Sequence, residues 1–349
     1  MAIDRNKDLS IETLRGIAII LVVMGHVIGS KSDGGMRVAD DSFLRHVYFT
    51  FQYLRMPLFT VISGWVYALL PVAHGNVSYF TIKKIRRIIL PLFFVGGSYY
   101  IIQSLVPGTN FSYPVTEIWR ILVFPYTFYW YLQALFIVFL IIAVVDSQKL
   151  AERFSHWLII FFISILLLFA RDKFIPETFP NYFGFKGGIY LLPFFIIGVG
   201  IKRFNSFFSN KYLIWTLSVI LFAALTIQQL VWYKIINLEL SASSGLGLII
   251  GVVGTIIFLR IHLKLDSMAW MGNFAYTIYL FHSFGTSGGR IFLHKLGIFN
   301  TSVVFMTSLA LGLFLPILIE PLLNRFGITR LLFLGRSYTK KTSKKPFKS

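Results

Sequence analysis

Ten long apolar stretches, at approximately 11–29, 47–70, 88–106, 128–145, 156–170, 188–201, 212–232, 243–260, 271–290 and 299–323, take up most of this 349-residue chain. A helix needs about 20 apolar residues to cross a bilayer, and one water-soluble core cannot absorb so many such stretches. Only 13% of the residues are charged, about half the share of a soluble domain. The chain is therefore expected to be all-α, a polytopic membrane bundle of about ten transmembrane helices. The stretches at 156–170 and 188–201 are short for a span, which suits helices inside a bundle or beside a cavity. The start, MAIDRNKDLSIETLRG, carries Asp4, Asp8 and Glu12, and no small-residue cleavage site follows. That is unlike a secretory leader, so the first stretch is expected to remain as a helix.

Lysine and arginine number 33 against 14 acidic residues, a net charge of +19. These cations gather in the polar segments between the apolar stretches. The alternating segments that begin with the N-terminus hold about twice as many as the opposite set, which predicts both termini in the cytoplasm. No basic stripe with interleaved aromatics lies outside the apolar stretches, so nucleic acid is not an expected partner. Membrane lipids are, above all for residues 324–349, which end in TKKTSKKPFKS and read as a basic, disordered cytoplasmic tail. Residues 1–323 read as a single membrane domain. The absence of cysteine removes disulfides, thiolate metal sites and cysteine nucleophiles together.

Ionisable groups inside spans are costly, and they usually face a partner or a cavity. Arg15 and His26 share the first stretch, in RGIAIILVVMGH. On a helix, eleven residues place them about 16 Å apart and nearly on one face. Arg55, in YLRMPLFTVISGW, and His282, in FAYTIYLFH, should reach a depth close to that of His26. Tyr279 and Tyr276 precede His282 by one and two turns, forming one polar stripe. Two histidines, an arginine and tyrosine hydroxyls at one depth suggest a site; satisfied packing histidines are the plainer alternative. Ser63, before Gly64, reads as small-residue packing or a helix break rather than a nucleophile. Metal-ligand spacing and paired carboxylates are missing from the spans, so no metal is expected. Before the third span, IKKIRRIILP gathers Lys83, Lys84, Arg86 and Arg87. This is either positive-inside anchoring or an anion site for phosphates.

Taken together, these residues resemble the acyltransferase-3 family of integral membrane acyltransferases. The hallmark of a basic residue, ten residues, then histidine fits Arg15 and His26. RMPLFTVISGW, the KKIRR start of the third span, YWYLQALF and TIYLFH follow in the family's order, from about residue 9 to 323. The resemblance implies acyl transfer from a cytoplasmic donor, typically acetyl-CoA, to a hydroxyl of a cell-surface glycan, such as an exopolysaccharide, or its lipid-linked precursor. It also implies a multi-pass protein of the bacterial inner membrane, with a glycan-synthesis complex as a further partner. Some relatives carry an extra esterase-like domain after the membrane part. None is expected here, where the spaced Arg-x-x-Arg of some relatives becomes Lys83-x-x-Arg86. On this reading His26 is the general base, and Arg55, Tyr279 and His282 stabilise the oxyanion or position the sugar. Arg15, Lys83, Arg86 and Arg87 take the coenzyme A phosphates. A transporter or flippase of a glycan precursor is the rival reading, since it too has many spans and intramembrane charges.

Overall fold

The computed structural model describes residues 8–338, which hold helices and no strand. Each apolar stretch becomes a long helix: α1 (Leu9–Ile28), α2 (Phe43–Tyr67), α3 (Val77–Leu105), α4 (Trp130–Ser147), α5 (Phe154–Phe174), α6 (Phe185–Arg203), α7 (Lys211–Trp232) and α8 (Gly245–Ile261). The short α9 (Asp266–Asn273) then leads into α10 (Ala275–Lys295) and α11 (Thr301–Arg325). Seven helices are long and apolar enough to cross a membrane, or eight if the sharply bent α8–α9 pair is one span. The two long helices outside that set are α2 and α10, which carry Arg55 and His282 inside them.

Local chemistry sets the boundaries. The Asp8 carboxylate accepts from the Ser10 and Ile11 amides at the start of α1, and Gly29, at φ +84°, ends it. Pro91 divides α3 into two wide π-type turns, Ile85–Ile89 and Leu92–Gly96. It has no N–H to offer the Arg87 carbonyl, and the Tyr276 hydroxyl donates there instead.

Helices α1 and α6 are largely enclosed, whereas α7 and α5 are only 11% and 17% buried. Exposed Trp215 and Phe222 on α7 suit a lipid-facing surface. Against the central α6, α2 packs backbone to backbone. A Cβ at Gly64 would meet the Phe195 carbonyl, and one at Gly198 would meet the Val61 carbonyl. Thus α2 runs unbroken through Ser63 and Gly64, and of the two readings of that pair the structure takes packing. α10 lies along α11 and against α1, which brings the first helix to the last pair.

The disordered tail expected from residue 324 needs correcting at its start. Helix α11 runs to Arg325, and Gly327–Leu334 forms α12, with Arg330 and Leu334 buried. The segment has partners to fold against: Arg336 pairs with Glu320 at 2.6 Å, and Arg87 donates to the Leu334 carbonyl at 3.0 Å. The rest of that tail, 339–349, lies outside the described residues.

Candidate active site

The imidazoles of His26 on α1 and His282 on α10 stack with centroids 5.1 Å apart. The Phe128 ring stands edge-on to both, 4.7 Å from His26 and 5.1 Å from His282. His282 is almost completely buried, and its Nδ1 lies 2.8 Å from the Tyr279 carbonyl and 3.2 Å from that of Ile278. Carbonyl oxygens only accept, so Nδ1 carries the proton and Nε2 keeps its lone pair. That Nε2 is buried with no protein partner among the described residues.

His26 lines a chamber of about 280 Å³ at the C-terminal end of α1. Arg55 reaches the same chamber and lies directly over Gly25, where a Cβ would collide with its guanidinium. It donates to the Tyr48 hydroxyl at 2.6 Å and stacks on that ring at 4.3 Å. Thr127 and Ser308 also line the chamber, each with a buried hydroxyl that has no protein partner among the described residues. Thr127 has φ +40°, a left-handed conformation that β-branched residues seldom adopt and that marks strain beside Phe128.

A second chamber of about 360 Å³ opens nearer the start of α1. Its walls are apolar and aromatic, with Arg15, Lys84 and Arg87 as its cations. Tyr279 stands at its inner end, 6.1 Å from the His282 ring. Its hydroxyl donates to the Phe128 carbonyl at 2.5 Å. The layer of Phe128, Tyr279 and His282 therefore separates the two chambers.

His26, Arg55, Tyr279 and His282 thus meet as the sequence reading expects, but the Tyr279 hydroxyl is already engaged. Among the basic residues, Arg15 and Arg87 line the second chamber, while Lys83 and Arg86 are exposed and do not. Lys83 lies over the Tyr79 ring instead, at 4.1 Å. Lys83 and Arg86, expected among the phosphate-binding residues, therefore stand outside this chamber. Lys84 and Arg87 are three residues apart and share the inward face, so the residue before each turns outward. Arg15 is also less free than its position suggests, since Glu12 pairs with it at 2.9 Å. Sequence reasoning missed Phe128, Glu12 and the inward role of Lys84. Aromatic richness ahead of α4 is too common in this chain to single out Phe128. Among the described residues, no group of three or more His, Asp or Glu gathers as a metal site would require.

Among protein families, residues 8–320 match the one described as an acyltransferase domain. No curated protein matches the chain, and no solved structure does.

Proposed function

The chain belongs to the acyltransferase-3 family of integral membrane acyltransferases, and on that footing we propose that it moves an acetyl group from acetyl-CoA to a hydroxyl of a cell-surface polysaccharide or its lipid-linked precursor. The observation that carries this reading is the placement of two differently lined chambers on either side of the layer of Phe128, Tyr279 and His282, with His26 stacked on that layer from the first chamber. The apolar chamber with Arg15, Lys84 and Arg87 suits a donor with an extended thioester arm and phosphates at its outer end. The chamber with Arg55, Thr127 and Ser308 suits a hydroxyl-rich acceptor.

Acyl transfer from a thioester to an alcohol needs a base for the hydroxyl and a donor for the developing oxyanion. His26, on the acceptor side, takes the hydroxyl proton as that oxygen attacks the thioester carbonyl. The Arg55 guanidinium, beside His26 across Gly25, stabilises the tetrahedral oxyanion. Collapse breaks the carbon–sulfur bond, and the departing thiolate recovers the proton from His26. His282, fixed by its Nδ1 donation, holds the His26 ring through the stack. Tyr279 keeps Phe128 in place, because its hydroxyl is spent on the Phe128 carbonyl. By the cation bias of the sequence, the donor chamber faces the cytoplasm, and by the family resemblance the membrane is a bacterial inner membrane.

The direct test follows free thiol from acetyl-CoA with the purified protein in detergent. Slow release that His26→Ala removes is the expected result. A native protein that binds glycan yet never turns over the thioester would overturn the reading in favour of transport.

A further inference from the structure

The acceptor chamber carries a charge that hydroxyl chemistry does not require. Arg55 and Arg290 both line it, and no aspartate or glutamate does among the described residues. Arg290, on α10, is only 5% exposed. Neither arginine pairs with a carboxylate among the described residues. Each places one N–H on the protein, Arg55 on the Tyr48 hydroxyl and Arg290 on the Gly108 carbonyl at 3.0 Å. A guanidinium has five such donors. A third arginine, Arg37, donates to Asn110 at 3.2 Å, and Asn110 is itself in the chamber wall. Acidic Asp33 and Asp40 line an adjoining surface depression, where Asp40 pairs with Arg45 at 3.4 Å.

A buried cation without a counter-ion, as Arg290 is here beside the half-buried Arg55, is expensive, so such a site gains most from a ligand that brings the opposite charge. The donor chamber also holds cations outside the ion pairs of the described residues, Lys84 and Arg87, but the reading above already gives them the donor's phosphates, and Arg15 there has Glu12. Building on the acceptor assignment above, we infer that the acceptor is anionic: the sugar that enters carries a carboxylate or a phosphate, held by Arg290 together with Arg55. Planar guanidinium forks match either group. The anion fixes the sugar and presents its hydroxyl to His26.

The test reads binding without acetyl-CoA, so its failure is distinct from a failure of acyl transfer. Calorimetry on the detergent-solubilised full chain would compare methyl glucuronide, glucose 1-phosphate and neutral methyl glucoside. At least tenfold tighter binding of an anionic sugar than of the glucoside is expected. Arg290→Gln should bring that ratio close to one, and Arg290→Lys should restore part of it. Preference for the glucuronide would point to a uronic-acid glycan. Preference for the phosphate would point to the phosphate of a lipid-linked precursor. Equal binding of all three sugars would overturn the proposal. So would an anion preference that coenzyme A abolishes, since that places the anion in the donor chamber.

Discussion

His26 lies 5.1 Å from His282, although the two residues belong to the first long helix and to one of the last two. Only one of the pair, His26, borders the acceptor chamber. The buried partner has its tautomer set by the Tyr279 carbonyl. His26→Ala should therefore lower acyl transfer by about 10²-fold or more, the usual size of a general-base contribution. The amount of monodisperse protein on size exclusion should stay near native, because alanine leaves no buried charge. Loss of folded protein in step with activity would make His26 a packing residue.

Gly25→Ala should act through Arg55. The added methyl group needs the space that the guanidinium fills, so Arg55 must leave its place beside His26. A fall in kcat with little change in KM for acetyl-CoA is expected. In an Arg55→Ala background the same substitution should cost almost nothing, and a double-mutant cycle reads that difference. Additive effects would mean that Gly25 matters only for helix packing.

The basic turn of α3 offers an internal control. Lys84→Ala and Arg87→Ala should each raise the KM for acetyl-CoA by about tenfold, the equivalent of about 1.4 kcal/mol. Arg86→Ala and Lys83→Ala should change it little, since both side chains turn away from the chamber. Steady-state kinetics on the four variants would settle the comparison, and equal effects from all four would assign the turn to general anchoring.

Tyr279→Phe separates positioning from catalysis. The hydroxyl donates to the Phe128 carbonyl, so its loss should loosen the ring layer. The expected fall in transfer rate is about tenfold, well short of that for His26→Ala, in line with one buried hydrogen bond. A loss as large as that for His26→Ala would restore Tyr279 to the oxyanion.

Sidedness follows from the two chambers. Sealed vesicles should consume acetyl-CoA only from the face that bears the basic C-terminal segment, and should acylate an acceptor supplied at the opposite face. Mass spectrometry of the acceptor reads the result. Modification only of acceptor that shares the donor's compartment would mean that both substrates enter from one side.

Counting along helices carried the sequence reading far. His26, Arg55 and His282 could be set at one depth because each helix is regular and its length is limited by the bilayer. What escaped depended on geometry between elements. Lys83 and Lys84 are neighbours in sequence, and only the packing of α3 decides which faces inward. Phe128 comes from the irregular segment before α4, where no period applies, and it belongs to the site because Tyr279 holds its carbonyl. Arg290 lies near the end of α10, where an arginine ordinarily snorkels toward headgroups; its burial shows only once the loop bearing Gly108 is folded over it.

The two long helices too polar to count as spans by themselves, α2 and α10, are also the ones that carry Arg55 and His282. Arg55 near the centre of α2 adds about 2.5–3.5 kcal/mol to the cost of inserting it, and α10 carries the polar series His282, Ser283, Thr286, Ser287 and Arg290. Neither helix can easily enter a bilayer alone; α2 needs the company of α1, and α10 that of α11. During synthesis α1 and α2 are in place long before α10 exists. A nascent chain therefore holds His26 and Arg55 with no His282 to stack on and no closed acceptor chamber, and the pair forms only when the last hairpin arrives. On the proposed mechanism, the residues that carry the chemistry come together only when the last hairpin is in place.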